Sequence, residues 1–254
     1  MSAKNRYIHI DKYALKRVLV FLMALFLLTG CAGKTDKAQD GAENSDSYVD
    51  VAELARKNPD IFAYIRIPGT AIDYPIVQSL DGDDSFYRTH NSEKEPDPKG
   101  AIYTECANLK NMCDFNEVLH GSSPEDGSMF ADVQKFLDRK YFEEHPYIYV
   151  YLDGNVLIYY VFASYSRENT RLLAQYDFTY AGGCQAFLDE IYDSRSMTKN
   201  IRTGWENMVE PDNFIITLTT ENRDDPSKQV IVVGCLVGDM RGTIDRFVDY
   251  SEPE

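Results

Sequence analysis

Residues 214–237 read FIITLTTENRDDPSKQVIVVGCLV. In the first part Phe214, Ile216 and Leu218 alternate with Ile215, Thr217 and Thr219. In the last part Gln229 to Val237 is β-branched and nearly all apolar, the pattern of a buried strand. Between them lies ENRDDPSK, with Asp225-Pro226 as a turn signal. The stretch therefore predicts two strands joined by a polar loop.

The rest of the chain supplies more strands. Its 254 residues allow one large domain or two small ones, and 44% hydrophobic and 13% aromatic content suffice for a core. Eighteen Tyr and thirteen Phe favour β-rich structure. The net charge of −15 repels phosphate backbones, so nucleic-acid binding is not expected. Solubility is the simplest account of that charge.

Lys4, Arg6, Lys12, Lys16 and Arg17 precede the apolar run Val18 to Leu28. That run has the length of a signal-peptide core and is too short for an ordinary membrane span. It ends Leu28-Thr29-Gly30-Cys31, which resembles the bacterial lipobox. The resemblance implies cleavage before Cys31 and a lipid on its thiol; the alternative is an uncleaved anchor helix with an accidental cysteine. Either way the body is expected on the extracellular face of the cytoplasmic membrane. We read 1–30 as a lipoprotein signal peptide and 31–48, polar and without periodicity, as a flexible tether.

Residues 50–57 predict a short helix capped by Asp50 and stopped at Asn58-Pro59. Strands are expected over 61–67, 71–78 and 101–105, with Pro75 marking an edge or bulge. A helix is expected over 129–144, with Phe130, Val133, Phe136 and Leu137 on one face. Two strands, 147–152 and 156–165, flank the hairpin signal Asp153-Gly154. Gly182-Gly183 precedes a second helix over 184–194.

These residues resemble the class B sortases. KNPDIFAYIRIPGTAIDYPIVQ resembles the opening of that domain, and residues 86–91 stand in the place of a family Y-Y-x-x-H segment. Glu117-Val118-Leu119-His120-Gly121 is similar to the strand end bearing the family's catalytic His, usually Y-G-H-[NH]. The family's D-G-S-M-F segment follows intact at 126–130, after a loop that reads two residues longer. Thr217-Leu218-Thr219-Thr220 matches the strand that precedes the nucleophilic Cys, but Glu221 stands where that Cys would be. Gln229, after Lys228, stands where the family's Arg opens the last strand.

The resemblance implies a mainly β fold with accessory helices, a sortase-type closed mixed β-barrel of about eight strands, over residues 49–240, with 241–254 as an acidic tail. It also implies a peptide groove flanked by Thr219 and Thr220, a sorting-signal-like or cell-wall peptide as partner, attachment to the membrane through the lipid on Cys31, and no cofactor. A transpeptidase needs a thiolate to form an acyl-enzyme, a His to move protons and an Arg to hold the oxyanion. Only His120 meets its requirement, so acyl transfer is expected to be absent or severely impaired. His120 is expected to pair with Glu221, as a remnant, an acid–base pair or half of a metal site. Metal is the weakest of these, because His90 and His145 are not at ligand spacing. Gln229 is left able to donate an uncharged hydrogen bond, with Lys228 turned to the other strand face. Cys184 and Cys235 read as buried small side chains; Cys106 and Cys113 flank a loop and are able to pair. None reads as a replacement nucleophile. A peptide-binding or scaffolding module, a hydrolase or active sortase using the same groove, and a purely structural surface protein all remain open at this point.

Overall fold

The computed structural model describes residues 49–245, 247, 248 and 250. The signal peptide, the tether and Cys31 lie outside the described residues. Helix α1 (Val51–Lys57) starts where Asp50 accepts a hydrogen bond from the Glu53 amide at 2.8 Å, and ends at extended Asn58. The strands are β1 (Ile61–Arg66), β2 (Asp73–Val77), β3 (Ile102–Thr104), β4 (Asn116–His120), β5 (Tyr147–Leu152), β6 (Asn155–Glu168), β7 (Asn200–Ile201), β8 (Ile215–Glu221) and β9 (Lys228–Asp239).

They form one sheet in the order β5-β1-β2-β3-β4-β8-β9-β6-β7, and a β5–β6 pairing closes it. The result is the expected eight-stranded mixed barrel, with two-residue β7 added outside the closure. The β2–β3 and β4–β8 pairs are parallel. Pro75 does not sit on an edge strand, since β2 lies between β1 and β3. Only Ile76 and Val77 of β2 pair with β3, so the missing amide of Pro75 breaks no ladder on that side.

Strand β9 is apolar throughout because both of its faces are covered. Val230 and Val232 point into the barrel with Leu119, Ile216 and Leu218. Ile231 and Val233 point outward, onto Phe187, Leu188 and Ile191 of α4 (Ala181–Asp193).

The continuous helix expected over 129–144 is instead two pieces. A 3₁₀ turn spans Ala131–Leu137 and helix α2 spans Arg139–Glu144. Asp138 between them is extended and accepts a hydrogen bond from the Tyr141 amide at 2.9 Å, capping α2. Phe136 and Phe142 are both fully buried. Six residues apart, they would point about 120° apart on one α-helix; the break lets both reach the core. A short helix absent from the sequence expectations, α3 (Leu172–Gln175), follows β6.

Among the described residues no helix is long and apolar enough to cross a membrane. Cys106, Cys113, Cys184 and Cys235 are all free thiols, the last two buried as expected. In the C-terminal segment Val248 and Tyr250 pack against the outer cluster, and Tyr250 donates to the Pro211 carbonyl at 2.7 Å.

Candidate active site

Register brings the sequence-nominated residues to one place. His120 ends β4 and pairs with Thr219 on β8; Glu221 ends β8 and pairs with Gln229 on β9. Paired residues share a sheet face, so His120, Thr219, Glu221 and Gln229 all lie outside the barrel. Together with Thr220 they line a cavity of about 350 Å³. Tyr87, Arg88, Ser122, Ser123 and Asn169 add to its wall. A neighbouring cavity of about 380 Å³ shares Arg88, His120 and Gln229.

His120 is held on two sides. Its ring stacks on Tyr103, centroids 5.0 Å apart, and its Nε2 lies 3.2 Å from Glu105 Oε1. The carboxylate that meets His120 is thus Glu105, at the end of β3, rather than Glu221. Glu105 also accepts from Arg171 Nε at 2.6 Å, and Arg171 Nη2 donates to Asp84 at 2.9 Å. Burial alone would raise the Glu105 carboxyl, but His120 and Arg171 outweigh it and hold it below the usual carboxylate value. The chain Asp84–Arg171–Glu105–His120 was invisible in the sequence because its members come from separate segments.

Gln229 does not reach into the cavity as a free donor. It is 6% exposed; its amide donates to the carbonyls of Thr170 at 2.8 Å and Glu168 at 3.3 Å, and its oxygen accepts from the Thr219 hydroxyl at 2.5 Å. Its side chain therefore fastens the 168–170 strap to the sheet, a strap that Asn169 secures further through the Ser227 carbonyl. Lys228 turns away and meets Asp225 at 3.4 Å. Glu221 is exposed, and its backbone carbonyl accepts from Gln134 Nε2 at 2.7 Å.

Thiol chemistry has no place to start here, because no cysteine lines either cavity. Cys106 adjoins Glu105 in sequence, but its thiol is turned to the Ser79 carbonyl. Burial and then Asp84 push that thiol up, away from the thiolate form. Among the described residues no His, Cys, Asp and Glu cluster is built to hold a metal.

No family model matches the chain. It is 29% identical to sortase B of Listeria monocytogenes over 199 residues, which cover 76% of each protein. The structure superposes on Clostridium perfringens sortase B with a TM-score of 0.65 and 27% identity, over 74% of this chain and 99% of that one. The chain belongs to the class B sortase family. A Staphylococcus aureus sortase B–substrate complex is similar at a TM-score of 0.63 and 25% identity, covering 74% of this chain and 84% of that chain. In this sortase homologue the 350 Å³ cavity lies at the ends of β4, β8 and β9, where the sequence motifs had placed the site.

Proposed function

We propose that the protein is a surface-anchored class B sortase relative that no longer performs acyl transfer and holds a peptide in the cavity beside His120. One observation carries this: the cavity keeps its walls but contains no thiol, and Glu221 stands after Thr219-Thr220 at the end of β8. A carboxylate is a poor acyl acceptor, because the anhydride it would form is far less stable than a thioester. The position read as the family's Arg holds Gln229, whose amide is spent on the strap. The substrate complex of the S. aureus relative supports a peptide-sized ligand.

Gly121 supplies a second register for the His. A Cβ there would fall 2.6 Å from Ile102 Cδ1 and from Phe130, so the position demands glycine. Setting the family's Y-G-H on this glycine puts Ser122 at the His position and removes the two-residue lengthening of the loop. Ser122 donates to the Lys99 carbonyl at 2.6 Å and is engaged there. In either register the site lacks a thiol.

The His120–Glu105 contact favours one other activity, hydrolysis with His120 as general base on water. Turnover separates the two. The full chain, offered a library of sorting-signal-like peptides, is expected to cleave or transfer none above a His120→Ala control. Turnover that His120→Ala abolishes would sink the silent reading and favour the hydrolase.

Anchoring belongs to the same proposal. Cys31, following Leu28-Thr29-Gly30, carries the lipid that holds the domain at the outer face of the cytoplasmic membrane. Cells fed a fatty-acid probe are expected to label the wild-type chain and not Cys31→Ser; equal labelling of both would overturn it.

A further inference from the structure

We propose that the cavity takes a short amphoteric peptide, its ammonium set against Glu221 and its carboxylate against Arg88. This rests on the peptide-binding reading above and names the ligand class. Most charges around the cavity are already committed. Lys99 pairs with Asp126 at 2.5 Å, His120 and Arg171 meet Glu105, and Arg223 donates to the carbonyls of Ser123 and Pro124.

Two charges are left over, and they have opposite signs. Among the described residues neither the Glu221 carboxylate nor the Arg88 guanidinium has an ion-pair or hydrogen-bond partner, and both line the same cavity. Both are anchored at their backbones. Glu221 is fixed by its β-ladder pairing with Gln229 and by Gln134 on its carbonyl. Arg88 follows Tyr87, which is 1% exposed and donates to Asp60 at 2.7 Å. A ligand with a single charge would satisfy one of the pair and confront the other; a ligand with separated opposite charges satisfies both. The volume suits a few residues of peptide, at the lower end of ordinary ligand cavities.

The test uses the full chain in detergent and four forms of trialanine: free, N-acetylated, C-amidated and doubly capped. Dissociation constants come from ligand-observed NMR titrations. Acetylation and amidation are each expected to weaken wild-type binding about threefold to fivefold, the range of an exposed ion pair. Glu221→Gln should lose the acetylation effect and keep the amidation effect; Arg88→Gln should do the reverse. Both side chains are exposed, so the variants are expected to fold. Doubly capped peptide binding as tightly as free peptide would overturn this inference and leave the peptide-binding reading standing. Discrimination that persists unchanged in both variants would do the same. Failure of all four forms to bind would overturn both.

Discussion

Glu221→Cys is expected to gain a covalent adduct with a thiol-directed sortase reagent at residue 221, which the wild-type cavity cannot form. Mass mapping is the readout, because exposed Cys106 sets a background elsewhere in the chain. Adding Gln229→Arg should accelerate the reaction by about tenfold, short of the 10²–10³ that one oxyanion donor is worth in enzymes that keep it. The shortfall has a structural cause. Position 229 faces the carbonyls of Glu168 and Thr170, which will hold an incoming guanidinium away from the reacting group. Arginine also has no acceptor for the Thr219 hydroxyl, which now rests on the Gln229 oxygen at 2.5 Å. A further His120→Ala change should slow the double variant. Equal rates for the single and double variants would show that 229 is not the cation's place, and labelling at 221 no faster than at Cys106 would remove 221 from the nucleophile position.

Glu117→Gln is expected to stabilise the protein increasingly as pH rises. Glu117 pairs with Ile216 on β4–β8 and so points into the barrel. It is fully buried, and neither carboxyl oxygen has a hydrogen-bond partner among the described residues. Burial first, and Asp114 second, push its carboxyl well above the ordinary 4.5, so it stays protonated in the folded chain. Above pH 4.5 the unfolded chain releases that proton while the folded chain keeps it. Folding stability therefore falls as pH rises, by about 1.4 kcal/mol per unit until the folded carboxyl itself ionises. Glutamine cannot titrate, so its stability relative to wild type should climb at up to that slope in urea unfolding at pH 5, 6 and 7. A constant difference across the three would mean Glu117 is charged or solvated in the native state. Any fixed offset reflects the buried amide's own unmet hydrogen bonds and does not enter the slope.

The sequence alone was enough for the barrel. Strand periodicity, the Asp153-Gly154 hairpin and the unbroken apolar run of β9 depend on local backbone preference and on which faces are dry, and both are written in short windows. The absence of a thiol after Thr219-Thr220 was likewise a matter of one residue's identity. The partners of the site residues were not legible. His120 was matched to the nearest carboxylate in the motif, Glu221, but β3–β4 register sets Tyr103 opposite it and brings Glu105 alongside. Arg171 joins from 66 residues away, because the long β6 carries its strap back over the sheet ends. Gln229 looked like a surviving donor, yet that same strap consumes it. Glu117 looked like an ordinary polar position in a strand, yet β4 is a central strand, covered on one face by the barrel interior and on the other by the α4 layer. Hydrogen bonds and ion pairs are short-ranged and directional, so their choice among several carboxylates and amides is made only when closure of the barrel fixes which strand ends meet.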